Sequence, residues 1–281
     1  MNNQLHEKIY AYCQKYDIPI EYLPEILLDP KVIPMIRGKA FEFSVFKALH
    51  QILPKNIWLV DKPMINAQFG LHDTDVHIIH KPTRKIISAE CKLVGKGTFK
   101  YNKDESVQAR VKCMRSRTLG ESKIKELAPK LGISESLLKV HNDQYVPADF
   151  QVVVTNLANA FYETDEETEL FEWRPSRKGI DFLKFISGEE NIEILQHFAY
   201  QKMYLATSTE LAILPASNIK CTRKKCSQPS SCGFIPNYPL LVFEKEASIP
   251  NKPWYDLGNS EIILENIIYT RDNLAIFKGE F

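Results

Sequence analysis

The chain has 281 residues, 44% hydrophobic and 25% charged, so it can bury a sizeable core and wholesale disorder is excluded. Its 36 basic and 35 acidic residues leave a net charge of +1, which excludes a protein that coats nucleic acid indiscriminately. No stretch reaches the apolar length of a membrane span and residues 1–8 lack a hydrophobic leader, so the expectation is a cytoplasmic protein with no membrane partner.

In chain order, residues 5–16 have helical periodicity, and residues 20–33 are broken into short helices by Pro19, Pro24, Pro30 and Pro34. Together, residues 1–36 read as an N-terminal helical segment. Residues 37–49 predict a helix with Glu42 near its start, and residues 57–60 a first strand. Val76, Ile78 and Ile79 predict a strand directly after Asp75; Ile86, Ile87 and Ala89 predict the next, with residues 80–84 as the turn between them. Side chains alternate along a strand, so Glu90 and Lys92 must point the same way and Cys91 into the opposite layer. Residues 104–117 predict a basic helix, residues 150–155 a buried strand, residues 180–186 and 192–206 helices, and residues 240–243 and 262–264 strands. No internal repeat or low-complexity linker occurs.

A carboxylate ahead of one strand, then a carboxylate and a lysine on the next, is a donor set for a divalent metal and a water held against a phosphodiester. Oxygen ligands suit Mg²⁺, and a lysine can orient or activate the water or offset charge developing on phosphoryl oxygens. Asp73 rivals Asp75 at the strand entrance, but the hydrophobic run starts directly after Asp75. His72 and His77 read either as site-lining or as structural residues.

Asp75, Glu90-Cys91-Lys92 and the upstream Glu42 resemble the Asp…Glu-x-Lys core of the PD-(D/E)xK nuclease superfamily, over about residues 37–156. The proline of that motif is replaced here by Thr74. The resemblance implies an α/β fold, a mixed central sheet flanked by helices in an αβββαβ core, with further helical and cysteine-containing segments. It implies a nuclease core at residues 37–160; residues 161–281, which the resemblance does not cover, read as a C-terminal extension for DNA recognition or dimerisation. Asp75 and Glu90 would bind Mg²⁺, Lys92 would position or activate water, and Glu42 would support the site. The expected activity is that of a Type II restriction endonuclease on double-stranded DNA, leaving 5′-phosphate and 3′-hydroxyl ends. Such enzymes usually act as homodimers beside a cognate DNA methyltransferase. The alternatives are a repair or recombination nuclease, structure-specific or exonucleolytic, and a non-catalytic helix-turn-helix DNA-binding protein.

Charge is unevenly spread. Lys96, Lys100, Arg110, Arg115 and Arg117 follow the motif, and Lys220, Arg223, Lys224 and Lys225 form a second basic cluster. Acid gathers between Glu163 and Glu172, a segregation that fits a cleft for a phosphate backbone. Residues 121–141 are similar to a helix-turn-helix: Ala128 permits close approach, Gly132 supplies the turn and Ser134 caps the second helix. Ser134, Glu135, Ser136 and Lys139 would then face bases, while Pro129 departs from the pattern.

Cys13, Cys91 and Cys113 are isolated, whereas Cys221, Cys226 and Cys232 share a short, basic, turn-rich stretch. The triplet reads either as a structural Zn²⁺ knuckle lacking its fourth ligand or as free thiols. A minority reading takes Cys13 and the triplet as the iron–sulfur ligands of RecB-like exonucleases. Against it, Gln108 is followed by Lys112 where those enzymes place tyrosine.

Overall fold

The computed structural model describes residues 3–63, 74–217 and 219–270. Helices α1 (Asn3–Lys15) and α2 (Leu23–Leu28) lead into α3 (Val32–Ile52), which starts five residues ahead of the expected helix. Pro34 is tolerated there because the first turn of a helix needs no backbone N–H partner. Phe41, Val45 and Leu49 recur every four residues along α3 and are fully buried, the stripe that seats a helix on a sheet.

Strands β1 (Trp58–Asp61), β2 (Val76–His80) and β3 (Lys85–Cys91) follow, each antiparallel to the one before. Next come β4 (Lys100–Tyr101) and β5 (Val107–Arg110), then α4 (Glu121–Lys130), α5 (Glu135–Val140) and β6 (Val152–Asn156). β6 pairs parallel to β3 and is buried at every residue, as a central strand covered on both faces must be. A hairpin of β7 (Tyr162–Thr164) and β8 (Phe171–Trp173) precedes α6 (Arg177–Ser187) and α7 (Ile192–Gln201). The chain ends its described course with β9 (Met203–Thr207), α8 (Ser208–Leu211), β10 (Leu240–Phe243), β11 (Tyr255–Asp256) and α9 (Ser260–Thr270).

The fold is therefore mixed α/β around a six-stranded mixed sheet of order β1-β2-β3-β6-β9-β11. One core lies between α3, α9 and the face bearing Val76, Ala89, Cys91 and Val154. A second covers the opposite face, where Val153, Tyr204 and Ala206 meet Phe182, Leu195 and Phe243. A third, smaller core gathers α4, α5 and the segment around Cys232 and Phe234. Among the described residues no helix is long and apolar enough to cross a membrane.

Three expected elements differ. The basic helix at residues 104–117 is instead strand β5, paired with β4 and β10. Val107, Ala109 and Val111 are buried while Arg110 is exposed, so a two-residue period rules and the basic side chains merely ride its outer face. The expected helix over residues 192–206 stops at Gln201, and Met203–Thr207 becomes β9 between β6 and β11. Residues 262–264 are helical, within α9: Leu264 and Ile268 are buried four apart while Ile262 is 64% exposed, a helical stripe rather than an alternating strand.

Candidate active site

β2 and β3 set the centre of the site by register. Val76 faces Ala89, so one step outward Asp75 stands opposite Glu90 on the same face. Glu90 and Lys92 do project together: Lys92 Nζ lies 2.6 Å from Glu90 Oε1. Cys91 points the other way into the α3 layer, and its backbone N–H donates to Asp75 Oδ2 at 2.8 Å. Glu42 enters from α3 beside the buried stripe. The structure thus brings together all four expected residues, and Glu42, Asp75 and Glu90 are each no more than 9% exposed.

Three residues that no sequence motif marks complete the cluster. Lys62, just past β1, places its Nζ 2.5 Å from Glu42 Oε2, and it also donates to the Asp75 carbonyl at 3.3 Å. Lys39 adds a second contact to Glu42 Oε2 at 3.0 Å from the exposed side. Tyr145, in the turn region after α5, donates its hydroxyl to Glu90 Oε1 at 3.0 Å. The Lys92 ammonium stands 5.4 Å from the centroid of its ring.

Burial first, then the Glu90 and Glu42 carboxylates, push the Asp75 carboxyl up to about 8. Burial works against a charge on Lys92, but Glu90 outweighs it and holds the ammonium above its ordinary value. Burial and Glu90 likewise raise the Tyr145 phenol, keeping it a donor. Three crowded carboxylates with only oxygen donors form the kind of site a hard divalent cation takes. His77 lies on β2, half-buried, whereas His72 and Asp73 fall outside the described residues.

The predicted DNA-contacting residues divide. Lys100, Arg110 and Arg117 are exposed. Lys96 bonds Thr164 and lies 4.4 Å over the Phe171 ring, so this part of the basic segment abuts the acidic β7–β8 hairpin instead of standing apart from it. Arg115 is committed internally. It pairs with Asp149 at 2.5 Å, donates to the Gln144 carbonyl at 2.9 Å and stacks 4.9 Å over Tyr145. It therefore supports the site from beneath and is not free for a phosphate.

The helix pair expected at residues 121–141 forms. Gly132 has φ of +64° at the turn, and Ser134 caps α5 by accepting from the Leu137 N–H at 3.2 Å. Pro129 falls in the last turn of α4, one residue before it ends. Ser134, Ser136 and Lys139 are exposed, and Lys139 pairs with Glu121 across the two helices at 2.9 Å.

The cysteine triplet also converges, with a partner the spacing did not reveal. His141, at the C-terminal cap of α5, joins Cys221, Cys226 and Cys232, and the four ligand atoms lie within 4.8 Å of one another. This set is compatible with zinc. Among the described residues the triplet groups with His141 and not with Cys13.

Comparison of the chain with protein-family models, with curated proteins and with solved structures finds no match in any of the three.

Proposed function

We propose that the chain is a Mg²⁺-dependent endodeoxyribonuclease of the PD-(D/E)xK kind, acting as a Type II restriction enzyme on double-stranded DNA. The observation that supports this reading most is the convergence of Glu42, Asp75, Glu90 and Lys92 from one helix and two neighbouring strands into one buried cluster. The chain order of α3, three antiparallel strands, then β4, β5, α4 and α5 as an insertion, and a strand parallel to β3 is compatible with the αβββαβ arrangement.

Asp75 and Glu90 would hold Mg²⁺, with Glu42 in support. Mg²⁺ held by these carboxylates would supply polarisation of the phosphoryl oxygens and a bound water of lowered pKa. In the metal-free protein Glu90 holds the Lys92 ammonium above its ordinary value against burial. Beside Glu90, Lys92 would orient or activate water and offset charge developing on the phosphorus oxygens. Tyr145 and Lys62 fix the carboxylates they touch, so the site is formed before substrate arrives. Lys100, Arg110 and Arg117 supply backbone contacts that position DNA without reading it. A palindromic site would be read by a homodimer, with a cognate methyltransferase encoded alongside.

Digestion of a sequenced plasmid with Mg²⁺ should give discrete bands with 5′-phosphate ends, none in EDTA, and the protein should sediment as two chains. A nucleotide ladder from DNA ends, or cutting only at junctions, would replace the restriction reading by a repair nuclease. The exposed first turn of α5 favours a second reading, a DNA-binding protein without catalysis. DNA binding in EDTA with no cleavage at any Mg²⁺ concentration would establish that reading instead.

A further inference from the structure

We propose that Cys221, Cys226, Cys232 and His141 hold one structural zinc ion that staples the α4–α5 helix pair to the loop preceding β10. The proposal stands apart from the nuclease reading, since none of these residues touches the carboxylate cluster.

The histidine carries the argument. His141 is completely buried, and its Nε2 has no hydrogen-bond partner, a costly state for a buried polar nitrogen. Its other nitrogen, Nδ1, meets Gln144 Oε1 at 2.5 Å, and Gln144 Nε2 donates to the Ile235 carbonyl at 2.8 Å. That second bond fixes the amide with its oxygen toward the ring, so Nδ1 carries the hydrogen and Nε2 presents a lone pair. The ring is further held by stacking on Phe234, 4.3 Å between centroids at 12°. An outer partner on one nitrogen that leaves the other as ligand is how metal-binding histidines are oriented.

The sulfurs are prepared in the same way. The Arg223 N–H meets Cys221 Sγ at 3.4 Å, and the Phe234 N–H bonds Cys232. These donors offset only part of the burial that holds the Cys221 and Cys232 thiols above their ordinary range in the metal-free chain. Around a tetrahedral zinc with Zn–S bonds of about 2.3 Å, sulfurs stand roughly 3.8 Å apart; the present spread of up to 4.8 Å needs only a small contraction. Three thiolates with one Zn²⁺ carry a net −1; Lys220, Lys224 and Lys225 lie in the same stretch of chain, while the Arg223 guanidinium pairs with Asp143 at 2.5 Å. Four protein ligands leave no open position, which is the mark of a structural site.

The local architecture needs such a staple. α5 has six residues, too few to be stable alone. Residues 212–239 contain neither helix nor strand at the described positions, an unusual length for an ordered loop. The core beneath is small, with Ile124, Ala128, Leu137, Leu138 and Phe234 among its buried residues. A metal would tie this loop to the helix pair where packing alone offers little.

The test is metal analysis of the full chain purified without chelator from zinc-supplemented medium. About one zinc per chain is expected, unchanged in Lys92→Ala, which separates this claim from the nuclease claim. Replacement by Co²⁺ should give sulfur-to-cobalt charge-transfer absorption and tetrahedral d–d bands. Cys226→Ser and His141→Ala should each lose most of the zinc. Wild-type chain that contains no zinc and gives no cobalt spectrum would overturn the proposal, as would iron with labile sulfide at the cysteines. Because the cobalt spectrum is read on unmutated protein, a variant that fails to fold leaves the test decisive.

Discussion

At the scale of single residues, Asp75 is the group whose ionisation matters most. Its carboxyl is raised by burial and by Glu90 and Glu42 to about 8, against 3.8 in an unstructured chain. The folded, metal-free protein therefore binds more protons than the unfolded chain between these values, and this group's contribution to stability declines as pH rises from about 4 to about 8. A divalent cation bound as proposed would reverse that trend, because it needs the carboxylate and offsets its neighbours. Melting of the metal-free protein should come at lower temperature at pH 8 than at pH 5.5. The stabilisation from added Mg²⁺ should be larger at pH 8, and Asp75→Asn should flatten both effects. An unchanged pH dependence in Asp75→Asn would show that the like-charge cluster is not where the titration occurs.

Single residues also show what a sequence can and cannot disclose. Glu90 and Lys92 are legible because a two-residue period forces them onto one face, and Asp75 because a hydrophobic strand starts immediately after it. Ser134 and Gly132 are legible because a cap and a left-handed turn are local needs met by particular residue types. Lys62, Tyr145 and His141 are not legible. Each reaches its partner through tertiary packing from a position with no local pattern, and His141 lies far upstream of the cysteines it joins.

At the scale of elements, α5 and the turn after it connect two sites. His141 caps the helix at the cysteine cluster, and Tyr145, four residues on, bonds Glu90. The Ile235 N–H donates to the Tyr145 carbonyl at 2.8 Å, tying the loop that carries Cys232 to the residue beside the carboxylates. Tyr145→Phe removes one hydrogen bond to a charged group, costing about 1.5–3 kcal/mol of local interaction, and keeps the ring under Lys92. The expected result is a several-fold rise in the Mg²⁺ concentration for half-maximal cleavage, with a melting temperature within a few degrees of the parent. Cleavage at the parental Mg²⁺ requirement would remove Tyr145 from the site. Element identity was misjudged where composition masked period: the basic residues around β5 hid an alternation of Val107, Ala109 and Val111. The run through β9 hid a helix ending at Gln201.

At the scale of the whole molecule, the six-stranded sheet separates two cores and carries the carboxylate cluster beside the entrance to β2. The mixed α/β class was legible from the strand periods and the helix stripes. The sheet's extension by β9 and β11 was not, since strand pairing between distant segments depends on contacts that no local pattern encodes. The basic residues lie partly on exposed strands and partly inside the structure, so a charge count alone could not draw the surface proposed to face DNA.

The most direct measurement of the central claim compares the parent chain and Lys92→Ala on the same plasmid, with DNA binding followed in parallel. A cation that stabilises developing charge contributes about a hundred- to a thousandfold in rate. Cleavage in Mg²⁺ should fall by at least that much in Lys92→Ala while binding and melting temperature hold. Cleavage by Lys92→Ala at the parental rate would contradict the assignment of chemistry to this site.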